Sequence, residues 1–123
     1  MPYGTITFGY LYNISRTAVR KNDLDQARIT AEKYRQWVEQ IQNPFQIRLS
    51  HEVWGMIALA EENYDQALQE LQHSNLQNPY NLYRIALAFQ EKGDQVQAKE
   101  YFQRAEEFNA LNNLNYAFVR NLL

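Results

Sequence analysis

PYNLYRIALAFQEKGDQVQAKEYFQRA, residues Pro79 to Ala105, reads as two short amphipathic helices joined by a tight turn. The first segment places Leu82, Ile85, Ala86 and Phe89 on one stripe, and the second places Ala98, Tyr101, Phe102 and Ala105 on another. Between them, Lys92-Gly93-Asp94 supplies a stop and then a start. Gly can take the left-handed conformation that ends a helix, and Asp accepts hydrogen bonds from the free N–H groups of the next one. One helix pair of this size cannot bury two apolar faces by itself, so the unit requires neighbours built like it.

The rest of the chain supplies them. The 123 residues fit one domain, residues 1–123, with 46% hydrophobic and 21% charged side chains, ordinary for a globular protein. The spacing predicts a first helix over about 8–20, carrying Phe8, Leu11, Ile14, Ser15 and Ala18 on one face, after a Thr7 cap. A second runs over about 24–42 with the stripe Leu24, Ala27, Ala31, Tyr34, Val38 and Ile41, and Trp37 beside it. Asn43-Pro44 ends it. A third covers about 45–61, burying Ile47, His51, Trp54, Gly55 and Ala58. A fourth covers about 66–76, capped by Asp65, with Ala67, Leu68, Leu71 and Ser74 inward. After the opening pair, Asn109-Ala110-Leu111-Asn112 reads as a break before a last helix over about 113–122, making seven helices in all. No stretch has the period-two alternation of a half-buried strand.

Aligning the turns exposes an internal repeat. Asp23-Leu-Asp-Gln-Ala27, Asn63-Tyr-Asp-Gln-Ala67 and Asp94-Gln-Val-Gln-Ala98 are one device used three times, with Ala27 and Ala67 40 residues apart and Ala67 and Ala98 31 apart. Upstream of each turn comes the same series: Leu11/Ile14/Ser15/Ala18, His51/Trp54/Gly55/Ala58, Leu82/Ile85/Ala86/Phe89. The third residue of each series is small, which lets two antiparallel helices approach closely. This pattern resembles the tetratricopeptide repeat, W-x2-L-G-x2-Y followed by A-x3-F, A and P. The third copy matches through Ala98, Phe102 and Ala105, and the second through Trp54, Gly55, Tyr64, Ala67, Leu71 and Pro79. In the first, Ala31 and Tyr34 stand where Phe and Ala are expected, and the second helix is longer. The resemblance covers about Phe8 to Ala110. It implies an all-α, right-handed solenoid of three helical hairpins, about 8–42, 45–78 and 79–110, plus the C-terminal helix.

No catalytic constellation is legible, so no enzyme, metal or cofactor is expected. Cysteine is absent, there is no Gly-rich phosphate loop, and His51-Glu52 lacks the second histidine of a zinc motif because Gly55 occupies that position. His51 is expected in the core and His73 in solvent. Asp23, Asp25, Asp65 and Asp94 all lie at helix starts, where capping accounts for them. Asn13-Ile14-Ser15 forms a glycosylation sequon, but Ile14 and Ser15 belong to the packed face. The net charge of −2, with both signs dispersed, speaks against a nucleic-acid surface. No apolar run reaches the length of a membrane span. MPYGTITFGY has no basic leader, so no signal peptide is expected and the cytoplasm is the default compartment.

What remains is binding. In the family, the first helix of each pair lines a concave groove, and the corresponding positions include Tyr12, Arg16, Val19, Glu52, Met56, Leu59, Tyr83, Arg84, Leu87 and Gln90. Aromatics and Arg suit capture of a partner's peptide or helix, offering area at modest entropic cost and two-bond recognition of carboxylates. One subgroup grips a C-terminal carboxylate with a basic and amide clamp. Its positions here are Tyr12, Arg16, Val53, Tyr80 and Arg84, of which Arg84 alone fits, with Arg16 as a substitute donor. The resemblance therefore does not extend to that chaperone-tail mode. The alternative is a structural assembly element. The last helix is apolar on nearly all sides, and Tyr116, Phe118, Val119 and Leu122 would build a homodimer or a longer array.

Overall fold

A computed structural model describes the backbone of residues 2–122 and the side chains of residues 8–108. Among these residues there are six helices and no strand: α1 (Pro2–Arg20), α2 (Leu24–Ile41), α3 (Pro44–Ala60), α4 (Tyr64–Leu71), α5 (Pro79–Lys92) and α6 (Gln95–Leu122). Helices pack in sequential pairs, α1 on α2, α3 on α4 and α5 on α6. Each new pair then leans on the one before it. α3 touches both α1 and α2, and α5 touches both α3 and α4. α1, α3 and α5 are thus neighbours in one layer.

The three turns within pairs are built alike. Asp23, Asn63 and Asp94 each donate a backbone N–H to the carbonyl five residues back, on Ala18, Ala58 and Phe89, at 2.8, 2.9 and 2.9 Å. The residue before each has positive φ: Asn22 (60°), Glu62 (62°) and Gly93 (88°). Each turn then caps the following helix, the side chains of Asp23, Asn63 and Asp94 accepting from the backbone N–H of Gln26, Gln66 and Gln97 at 3.3, 3.3 and 3.2 Å. This is a Schellman stop fused to an N-cap start. Only the third copy has glycine at the left-handed position; the other two accept the cost of a side chain there.

Several boundaries differ from expectation. α4 is capped by Asn63, not Asp65; Asp65 sits in the first turn and meets Lys92 Nζ at 2.5 Å. α4 also stops at Leu71 instead of reaching residue 76. Ser74 Oγ donates back to the Leu71 carbonyl, and Asn75 Oδ1 accepts from the Gln77 N–H at 3.0 Å, which bends the chain out of the helix. Both Asn-Pro pairs act as starts. Asn43 and Asn78 are N-caps and Pro44 and Pro79 occupy the first helical turn, where a missing N–H costs nothing. α1 likewise begins near Pro2, ahead of Thr7. The break expected at residues 109–112 does not occur. α6 runs unbroken for 28 residues, so the sixth and seventh expected helices are one. No Gly or Pro lies in that stretch, and Asn alone does not end a helix that other residues favour.

The core forms between the pairs. Ala18, Ala27 and Ala31 meet Val53 and Ile57, while Ala58, Ala67, Leu68 and Leu71 meet Ile85 and Ala88. Trp37 stacks on Phe8 at 5.8 Å. Ile41, expected on the α2 stripe, is exposed at the helix end. Gly55 lets Leu71 of α4 approach α3 closely: a Cβ added there would lie 2.5 Å from Leu71 Cδ2 and Cγ. Gly55→Ala is therefore expected to destabilise the fold by about 1–3 kcal/mol through overpacking, despite alanine's better helix propensity. Urea unfolding would register this as a lower midpoint at unchanged slope.

Candidate partner-binding surface

Glu52 is the unexpected feature of the α1–α3–α5 layer. Its position on α3 was read as groove lining, yet it is 1% exposed. α3 is held on both sides, so the side chain at this position points between its neighbours and not outward. A buried carboxylate must be paired and hydrogen-bonded. Here Oε2 accepts from the Tyr12 hydroxyl of α1, and Arg16 Nε stands 3.9 Å away. Oε1 accepts from Asn81 Nδ2 at 2.8 Å and from Asn78 Nδ2 at 3.4 Å, both from the start of α5. Asn81 Oδ1 in turn accepts from Arg84 Nη1 at 2.8 Å. One acid thus ties three helices together.

The electrostatics follow from this geometry. Burial raises the Tyr12 hydroxyl above its ordinary pKa, and the hydrogen bond to Glu52 and that carboxylate's charge push the same way. Burial pushes Tyr34 up to about 12, with Glu52 adding to it. For Arg84, burial lowers the pKa while Glu52 opposes the fall and Arg16 assists it. Arg16 stands beside the Glu52 carboxylate and Arg84 is linked to it through Asn81, so the cluster holds two guanidinium groups and one carboxylate. Arg16 also lies over the Tyr12 ring at 5.1 Å, and its buried Nε has no hydrogen-bond partner among the described residues.

Beside the cluster lies an open hollow of about 220 Å³ lined by Val19 of α1, Met56, Leu59 and Ala60 of α3, and Arg84 of α5. Of the residues read as lining a groove, Tyr12, Arg16, Glu52 and Arg84 come together, and Met56 is a nearly buried part of the hollow's wall. Leu87 is half-buried and Gln90 exposed. Tyr83 does not join them. It turns toward α6 and meets the Phe102 ring edge-on at 5.4 Å. The side chains of Tyr116, Phe118, Val119 and Leu122 lie outside the described residues. Sequence reading missed Asn78 and Asn81. Their signal was the spacing Asn78, Asn81, Arg84, three residues apart each time and so on one helix face.

The histidines are placed differently. His51, expected in the core, is half-buried and bonded through Nδ1 to Glu70 Oε2 at 2.9 Å; His73 is exposed beside it. Among the described residues no three His, Cys, Asp or Glu side chains gather as a metal site, and no helix is long and apolar enough to cross a membrane. Compared with known proteins, the chain matches no family model, no curated protein and no solved structure.

Proposed function

We propose that this chain is a non-catalytic interaction module of tetratricopeptide-like build, a right-handed array of helical hairpins that binds a peptide or helix of a partner protein across α1, α3 and α5. The observation that carries the reading is the hollow joining those three helices beside the Glu52 cluster. Three like turns and the leaning of each pair on its predecessor support the array. The hollow offers apolar wall and one guanidinium, and the adjoining cluster holds two guanidinium groups and one carboxylate. A partner segment with an apolar side chain flanked by an acidic one complements both.

The test begins with peptides selected by the full-length chain from a random displayed library. Arg84→Glu is expected to weaken the selected peptides at least about tenfold, because it reverses the one charge in the hollow. Lys33→Glu, exposed on α2, should leave affinity within about twofold. Equal loss from both variants, or from neither, removes this surface from the reading.

A further inference from the structure

A second surface has its occupant written into the chain. The repeat offsets of 40 and 31 residues align Tyr12 with Glu52 and Tyr83, Ala31 with Leu71 and Phe102, and Tyr34 with Ser74 and Ala105. In the first pair these positions receive the next helix: Tyr12 bonds Glu52, Tyr34 donates to Gln46, and Ala31 packs with Val53 and Ile57, all on α3. In the second pair they receive α5: Glu52 bonds Asn81, and Leu71 packs with Ile85 and Ala88. The third set, Tyr83, Phe102 and Ala105, lines an open hollow of about 430 Å³ between α5 and α6, together with Pro79, Tyr80 and Glu106. Tyr80 is 71% and Tyr83 49% exposed. Among the described residues no further helix packs on this face.

By the logic of the first two pairs a seventh helix belongs there, and the sequence after residue 108 is suited to it, with Leu111, Leu114, Tyr116, Ala117, Phe118, Val119 and Leu122 spread around its circumference. Yet α6 continues through this stretch without a turn. α5 has 14 residues and α6 has 28, so α6 is twice as long as the helix it pairs with. A continuous helix cannot reverse onto the face it has just helped to form. We propose that residues 109–122 fill the α5–α6 face of a second copy of this chain, the two α6 helices running antiparallel about a twofold axis. The exchange makes between two chains the contacts that a seventh helix would make within one, which is the low-cost route to a closed dimer. It rests on other residues of α5 than the peptide-binding reading: Pro79, Tyr80 and Tyr83 here, Arg84 there.

Light scattering behind size exclusion, on the full chain over about a hundredfold range of concentration, tests the proposal. Twice the chain mass is expected. Tyr83→Glu and Phe118→Glu, one on each side of the contact, should each weaken dimerisation about tenfold or more, with helicity by circular dichroism retained. Tyr80→Glu, at a more exposed position, gives the same readout should Tyr83→Glu unfold. A wild-type monomer at every concentration overturns the proposal. So does a dimer indifferent to the α5 substitutions, or an open-ended oligomer.

Discussion

Replacing Glu52 by alanine is expected to cost about 3–5 kcal/mol of folding stability, the range for removing one partner of a buried, hydrogen-bonded ion pair. The loss does not come from missing apolar contact. It comes from what is left behind: the Tyr12 hydroxyl and the Asn78 side-chain amide lose their acceptor, Asn81 keeps only its bond to the Asn75 carbonyl, and Arg16 loses the carboxylate that stands 3.9 Å from its Nε. Glu52→Gln should cost less, about 1–3 kcal/mol, because an amide oxygen still accepts from Asn81 while the counter-charge is gone. Urea unfolding of the three proteins gives the order wild type, Gln, Ala. An alanine variant as stable as the parent would mean that the carboxylate is hydrated in solution and that the three helices are not joined through it. Since α1 and α5 meet α3 at this residue, the alanine variant should also lose the peptide affinity proposed for their shared surface.

That centre was only half legible in the sequence. The register of the three copies placed Tyr12, Glu52 and Tyr83 at one repeat position, and helical spacing put Arg84 on the same layer. Burial of Glu52 was not legible, because the groups that satisfy it lie 40, 29 and 26 residues away and become its partners only when the pairs stack. The turns were placed because they are local, a left-handed residue, a capping side chain and an alanine lying within a few positions of one another, although the cap of α4 is Asn63 and not Asp65. The same locality explains the error at residues 109–112. Asn-rich composition signals a turn only as a weak preference, and a helix persists through it when nothing such as Gly or Pro interrupts the backbone bonds. Gly55 lay between these extremes. Its small size was readable from the repeat, and its reason is the Leu71 side chain that occupies the space a Cβ would need.

Above about pH 10 the fold is expected to weaken steeply, and Tyr34 carries a definable share of that loss. Its side chain is 1% exposed, and its hydroxyl donates to Gln46 Oε1 at the start of α3. Burial, aided by the charge of Glu52, pushes its pKa up to about 12. In the unfolded chain a tyrosine gives up its proton at about pH 10. Between those values the folded state holds a proton that the unfolded state has released, so rising pH favours unfolding. Below the unfolded pKa both states are protonated and the contribution is whole; it is lost as pH climbs toward the folded value. At about 1.4 kcal/mol per pH unit, Tyr34 alone accounts for about 3 kcal/mol by the upper end of the window. Tyr12 is shifted in the same direction, first by burial and then by its bond to Glu52, and so adds to the slope. Urea unfolding from about pH 8 to about pH 12 measures the effect. Tyr34→Phe should lower stability by a constant amount at neutral pH, where the bond to Gln46 is lost, and flatten the alkaline slope by about one proton. An unchanged slope in that variant would mean that Tyr34 ionises alike in both states, which a hydroxyl closed between α2 and α3 cannot do.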